Sequence, residues 1–214
     1  MHQDISKPGE SYDQVAEEYV ARIAHELEHK PFDCTQLDRF AADVSDSGPV
    51  FDIGCGPGHV ARYLHDRGVD VLGIDLSQGM VEQARQLHPD IEFRQGTMSS
   101  LDIDDEALGG IVAFYSIIHI PRKEVMHVLS EFKRVLRPGG LLLLAFHQGH
   151  EIVHLDEWWG KQVSLDFIFF ERSEMEGYLS AAGFEIEESL ERSPYAEGVE
   201  TQTRRVYIFA RKPS

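Results

Sequence analysis

Between Val50 and Phe146 the chain alternates short apolar runs with amphipathic stretches, a Gly-rich turn follows the first run, and two more apolar runs close the sequence. Such alternation predicts a parallel sheet covered by helices on both faces, because each parallel crossover needs a helix to return the chain to the starting edge. The expected fold is α/β. Specifically, it is a Rossmann-like, doubly wound, mostly parallel seven-stranded sheet with an antiparallel last strand, an N-terminal helical cap and an insertion after the fifth strand.

In chain order, Tyr12 to His29 puts Val15, Tyr19, Val20, Ile23 and Leu27 on one helical face, and Pro31 is read as its end. A second short helix is expected over Leu37 to Val44 before Ser45-Asp46-Ser47-Gly48-Pro49 breaks the chain. Val50 to Ile53 then enters the turn, Val60 to Arg67 reads as a helix stopped by Gly68, and Val69 to Ile74 is the second strand. Ser77 should cap a helix through Leu87, followed by strands at Ile91 to Gln95 and Ile111 to Tyr115. Val125, Val128, Leu129, Phe132, Val135 and Leu136 keep helical spacing, and Pro138-Gly139-Gly140 turns that helix into the strand Leu141 to Phe146. The periodicity then lapses until Ser173-Glu174-Met175-Glu176, whose spacing is that of a capping box opening a helix to about Ala182. Phe184 to Leu190 and Arg205 to Ala210 have no helix pattern between them and are expected as an antiparallel closing pair.

Bulk composition narrows the function. The 214 residues carry 20 Lys plus Arg against 37 Asp plus Glu, a formal charge of -17. That charge disfavours nucleic acid, where affinity comes from basic side chains displacing counterions, and disfavours anionic membrane surfaces for the same reason. The polar leader Met1 to Glu10 lacks the apolar centre of a secretory signal. The apolar runs Ile111 to Ile118 and Leu141 to Phe146 are strand length, far short of a bilayer span. Cys34 and Cys55 form no disulfide framework, so a reduced, cytoplasmic setting is expected.

The turn Asp52-Ile53-Gly54-Cys55-Gly56-Pro57-Gly58 has the spacing G-x-G-x-G. His59 stands where the dinucleotide fingerprint has its third glycine, and no G-K-[ST] follows, which excludes a P-loop. Asp75, at the end of the second strand, suits both hydroxyls of an adenosine ribose. Asp52 beside the turn would repel a pyrophosphate but tolerate an ammonium or sulfonium, so its charge favours a sulfonium cofactor.

The glycine turn, Gly73-Ile74-Asp75-Leu76-Ser77 with Met80, and Arg137-Pro138-Gly139-Gly140 together resemble the class I S-adenosylmethionine-dependent methyltransferase superfamily, over roughly Tyr12 to Lys212. The resemblance implies S-adenosyl-L-methionine as cofactor, with S-adenosyl-L-homocysteine as product. It implies that Gly54, Cys55, Gly56 and Gly58 line the methionine end, that Asp75 holds the ribose, and that Leu76 and Met80 flank the adenine. Tyr115 and Ser116 should face the cofactor near its reactive centre, and the start Tyr12-Asp13-Gln14-Val15-Ala16-Glu17-Glu18-Tyr19 matches relatives whose first helix covers it. Many relatives have an Asp after the third strand; this chain has Gln95-Gly96-Thr97-Met98, which shifts adenine recognition to the Thr97 side chain and the Met98 backbone.

His119 and His147 are the candidate bases, with hydrogen bonding that merely orders a loop as the competing role for His119. His25/His29 and His150/His154 have i, i+4 spacing, yet no metal site is expected, because His25 and His29 lie on what should be a solvated face. Trp158 and Trp159 admit three readings: acceptor wall, homodimer contact or lid core. One domain is expected over residues 1–214: a helical cap 1–47, a cofactor-binding core 48–146, a lid insertion 147–172, and a C-terminal helix with closing strands 173–214. The acceptor is expected to be a small molecule enclosed by Trp158, Trp159, Phe167, Phe169 and Phe170, with His147, Gln148 and Glu171 orienting it. A regulator that binds the cofactor without catalysis and a nicotinamide-dependent oxidoreductase are the competing functions.

Overall fold

The structure is a computed structural model that describes residues 6–214, so Met1 to Ile5 of the polar leader lie outside the described residues. Among the described residues nine strands and six α-helices form; the strands are β1 (Val50–Ile53), β2 (Val71–Asp75), β3 (Glu92–Gln95), β4 (Leu108–Phe114), β5 (Leu136–His147), β6 (Ile152–Trp158), β7 (Lys161–Ile168), β8 (Glu185–Arg192) and β9 (Arg205–Arg211). Seven of them build one sheet in the order β3-β2-β1-β4-β5-β9-β8, and β6 and β7 form a separate hairpin. Pairing is parallel from β3 through β5, whereas β9 runs antiparallel to both β5 and β8. The strand order reverses between β1 and β4, and in such sheets the crevice beyond the strand carboxyl ends at that point takes the ligand.

The six α-helices are α1 (Pro8–Ile23), α2 (Pro31–Val44), α3 (His59–His65), α4 (Gln78–Leu87), α5 (Arg122–Val135) and α6 (Arg172–Ala181). Both faces of the sheet are sealed by apolar clusters. One gathers Val128, Leu129 and Phe132 of α5 with Leu142 and Ile208; the other gathers Leu37 and Phe40 of α2 with Val112, Leu143 and Phe209. Ser77 caps α4 as expected, its hydroxyl accepting from the Met80 N–H at 3.0 Å. The cap helix α1 is pinned there too, since the Asp13 carboxylate accepts from Ser77 Oγ at 2.6 Å and from the Gly79 N–H at 2.8 Å.

Three local expectations are corrected. The first helix stops at Ile23, and Pro31 opens α2 rather than ending α1, because a proline has no N–H to lose in a first helical turn. The capping box is not made: α6 starts at Arg172 with Glu171 as a cap lacking any side-chain bond, so Ser173 already lies inside the helix. The aperiodic stretch is a hairpin, and its Leu165 and Ile168 are buried while its first strand is mostly exposed. That hairpin is laced to the start of α1. The Lys7 N–H donates to the Ser164 carbonyl at 2.8 Å, the Ser164 N–H donates to Ser11 Oγ at 2.9 Å, and the Asp166 N–H donates to Ser6 Oγ at 3.0 Å.

Candidate functional site

The Gly-rich turn carries three glycines in the left-handed region, Gly54, Gly56 and Gly58, with φ of 72°, 53° and 80°. Their surroundings differ. A Cβ on Gly54 would collide with the Ser116 side chain, and one on Gly58 would lie 2.6 Å from the Phe93 ring. At Gly56 a Cβ would meet only Tyr19 Cε1, at 3.9 Å, so this glycine keeps open space. Every N–H from Gly54 to Gly58 is already used: Gly54 and Cys55 donate to the Ile74 carbonyl, Gly56 to Asp75 Oδ2 at 2.8 Å, and Gly58 to the Cys55 carbonyl, Pro57 having none. A turn with no free donor offers nothing to a pyrophosphate.

Above it lies a chamber of about 930 Å³, counted out to its mouth, lined by Gly54, Cys55 and Gly56 of the turn, Asp75 to Ser77 and Met80 beyond β2, Gly96 to Met98 beyond β3, and Phe114 to Ser116 beyond β4. Tyr12, Tyr19 and Glu26 close it from the cap, with His59, His119 and Ile120 completing the wall. Among the described residues no Lys or Arg lines it.

Asp75 is the fixed acid of the chamber. Its Oδ2 accepts from Gly56 and its Oδ1 from the Ser77 N–H at 2.8 Å, leaving one lone pair on each oxygen free for a hydroxyl. Burial pushes its pKa up to about 6, against the pull of the Ser77, Gly56 and Leu76 N–H groups. Leu76 is exposed and Met80 buried, both on the chamber wall with Thr97 and Met98. The Thr97 hydroxyl is shared with Ser99 Oγ at 2.9 Å. The set fits an adenosine: a carboxylate for the ribose diol, apolar faces for the base and a glycine that keeps the turn clear.

Several expected ligands stand elsewhere. Asp52 is 1% exposed and lies behind the turn, where its Oδ2 accepts from the Ala61 N–H at 3.0 Å and burial raises its pKa to about 7. It is a strut between β1 and α3 and does not line the chamber. Gly58 is not on the wall either; it is glycine because Phe93 occupies the space of a side chain. His147 lies behind Tyr115, stacked on Phe169 at 5.1 Å, with Nδ1 2.6 Å from Thr203 Oγ1 and 2.7 Å from an Arg205 nitrogen. Burial, then the Arg205 charge, hold it neutral with a pKa near about 3. Tyr115 lines the chamber, but its hydroxyl turns away to Tyr207 OH at 2.8 Å and Asp33 Oδ1 at 3.1 Å. Ser116 is tied to the Ile53 carbonyl at 2.6 Å.

His119 does reach the chamber. Its Nδ1 lies 2.9 Å from the Asp166 carbonyl and its Nε2 2.8 Å from Tyr12 OH. A carbonyl only accepts, so Nδ1 carries the proton and Nε2 accepts from the phenol. Burial lowers the pKa to about 4, so the ring is a neutral base, while burial raises that of Tyr12, which stays a donor. Around this pair Tyr12, Tyr19, Trp158 and Phe167 meet edge to face at 5.7 to 5.9 Å, and Trp158 stacks on Trp159 at 4.4 Å. The half-buried tryptophans thus pack on the tyrosines of α1. Phe170 is fully buried against Phe146, away from that ceiling.

Glu26 and His59 were not singled out from the sequence. Glu26 sits in a short 3-10 turn that follows α1 and carries no motif, whereas His59 was visible as the residue replacing a fingerprint glycine. Among the described residues no group of three or more His, Cys, Asp and Glu side chains is placed to hold a metal ion, and no helix is long and apolar enough to cross a membrane.

The family model described as a methyltransferase domain matches residues 50–140. The chain is 29% identical over 147 residues to a probable S-adenosylmethionine-dependent methyltransferase of Mycolicibacterium smegmatis, covering 66% of this chain and 53% of that protein. It is 32% identical over 117 residues to a demethylmenaquinone methyltransferase of Paenarthrobacter aurescens, covering 54% and 44%. The chain thus spans about half the length of these curated relatives. Among solved structures, a chain of the complex between the Haloferax volcanii Trm112 methyltransferase activator and a methyltransferase superposes with a TM-score of 0.70 at 20% identity, covering 97% of this chain and 98% of that one. At that identity the likeness is one of fold.

Proposed function

We propose that the chain, which matches a methyltransferase-domain family model over residues 50–140 and is similar to a probable S-adenosylmethionine-dependent methyltransferase, is a class I S-adenosylmethionine-dependent methyltransferase that transfers the methyl group of S-adenosyl-L-methionine to an uncharged small-molecule acceptor. The observation that carries the reading is the chamber: two acids, Asp75 and Glu26, with lone pairs to spare beside a glycine turn whose N–H groups are all taken, and no Lys or Arg in the lining. Such a site suits an adenosine with a cationic tail and repels a pyrophosphate, which argues against the nicotinamide-dependent reading.

In this reading Asp75 holds the ribose, Leu76, Met80, Thr97 and Met98 flank the base, and Gly54, Cys55, Gly56 and Ser116 form the floor under the methionine arm. When bound, the cofactor supplies an activated methyl on a sulfonium, so the protein's share is positioning and exclusion of water. Tyr12 and Tyr19, backed by Trp158 and Phe167, seal the ceiling. His119 Nε2 takes a proton from the acceptor O–H or N–H as that group attacks, in place of the Tyr12 hydroxyl it now receives, and its Nδ1–H stays on the Asp166 carbonyl. A carboxylate or phosphate acceptor finds no Lys or Arg on the wall and meets two carboxylates instead.

The test is calorimetry of the purified chain with S-adenosylhomocysteine, S-adenosylmethionine and NAD, followed by a mass-shift screen of metabolite pools. Binding of the first two with methyl gain on a neutral metabolite is expected. NAD binding alone sinks the proposal; tight S-adenosylmethionine binding with no methylated product favours a cofactor-sensing regulator.

A further inference from the structure

With Asp52 removed from the chamber, the positive end of the methionine arm needs another partner, and the structure offers one carboxylate besides Asp75. Glu26 lines the chamber at the end formed by the glycine turn. Its Oε1 lies 3.1 Å from Nε2 of His59, the residue that follows Gly58, and its Oε2 accepts from Lys30 Nζ at 2.6 Å. The side chain is 16% exposed, and the two clamps leave a free lone pair on each oxygen. Lys30 is itself shared with Glu200 at 3.8 Å, so its charge does not belong to Glu26 alone. Burial by itself would raise the Glu26 pKa, but His59 and Lys30 outweigh it and hold the group ionised, at about 2.

We propose that Glu26 is the anionic anchor for the α-ammonium of the cofactor's methionine arm, held in place by His59 and Lys30. The inference rests on the methyltransferase reading above and assigns within it a residue from the helical cap. Three observations carry it. Glu26 is joined through His59 to the glycine turn, whereas Leu76, Thr97 and Met98 line the chamber beyond β2 and β3, so a ligand with its ribose on Asp75 and its base on those residues would put its amino-acid arm toward the turn and Glu26. Gly56, the one turn glycine facing open space, has Tyr19 of the same cap as the nearest neighbour of its missing side chain, so the arm runs between the turn and the cap. No other acid besides Asp75 lines the wall, and Lys30, the cation paired with Glu26, is not among the residues that line it. The competing role is a strut that merely joins the 3-10 turn to α2 and α3, and the experiment separates the two.

Affinities of S-adenosylhomocysteine and of 5′-methylthioadenosine, which keeps the nucleoside but lacks the amino-acid arm, are measured by calorimetry for the parent and Glu26→Gln. Loss of one charge-assisted hydrogen bond should weaken S-adenosylhomocysteine about 10- to 100-fold while 5′-methylthioadenosine changes by less than about threefold. Equal weakening of both ligands makes Glu26 a strut and overturns the proposal, as does an unchanged S-adenosylhomocysteine affinity. If Glu26→Gln does not fold, Glu26→Asp is read in the same cycle, since it keeps the charge but withdraws it by one methylene; selective weakening of S-adenosylhomocysteine is again expected, and no selectivity overturns the proposal. Failure of the parent to bind S-adenosylhomocysteine overturns the methyltransferase reading itself, a result distinguishable from a silent Glu26.

Discussion

The two halves of the sheet's carboxyl edge solve the same problem in opposite ways. Beyond β1, β2 and β4, polar groups face a chamber with hydrogen-bonding capacity left over, as Asp75 and Glu26 do. Beyond β5, β8 and β9, buried charges are paired with one another, although Arg205 Nε has no hydrogen-bond partner. Arg192 donates to Asp33 Oδ2 at 2.8 Å, to Glu200 Oε1 at 2.5 Å and to Tyr207 OH at 2.9 Å, and Arg205 reaches Glu200 at 3.4 Å. That half ties the α2 cap to the closing strands. The comparison teaches that buried charge marks a binding site only where partners are missing; where they are present it marks a joint.

The sharpest way to break the comparison is at Asp75. Asp75→Ala removes two charge-assisted bonds of about 1.5 to 3 kcal/mol each, so S-adenosylhomocysteine affinity should fall at least about 100-fold. Calorimetry on the folded variant checks this, and parental affinity would show that the ribose sits elsewhere. On the paired side, Arg192→Met leaves Asp33 and Glu200 facing each other without their guanidinium, which should cost roughly 3 to 5 kcal/mol in urea unfolding. Cofactor affinity of the folded protein should stay within about threefold; a large loss there would mean that the two halves are coupled.

Acidity sharpens the same contrast with a smaller effect. In the free protein Asp75 is protonated below about 6, and a ribose diol needs the carboxylate. Binding must then release a proton, so affinity should weaken about tenfold per pH unit below about 6 and level off above it. For folding the sign is reversed: an acid whose folded pKa is raised contributes stability that is lost as pH climbs toward about 6. Asp75→Asn should flatten the binding slope, and a slope that persists would assign it to another group. The smallest expected effect is at the ceiling. Tyr12→Phe deletes the donor to His119 Nε2, worth about 1 kcal/mol, and should lower the melting temperature by about 2 to 4 °C in differential scanning fluorimetry.

Legibility in the sequence follows the range of the interaction. The alternation from Val50 to Phe146, the Ser77 cap and the place of Asp75 at the end of β2 were readable because a strand, a turn and a helix cap are decided by residues within a few positions of one another. The capping-box reading at Ser173 failed on the same scale, since the chain had already turned into α6 one residue earlier. Direction is harder than position. Nothing local said that the Asp52 carboxylate would point back to Ala61, that the Tyr115 hydroxyl would join Tyr207, or that His147 would stack behind the wall on Phe169.

By itself, then, the sequence determined the doubly wound core, its glycine turn and the acid that ends β2, all of them consequences of hydrophobic period and turn chemistry. Which acids line the chamber, and which side chains close over it, follow from tertiary packing. Glu26 meets His59 across 33 positions, and Tyr12 meets His119 across 107. Contacts of that separation exist only after α1 and the β6-β7 hairpin have packed over the sheet edge, and no spacing along the chain encodes them.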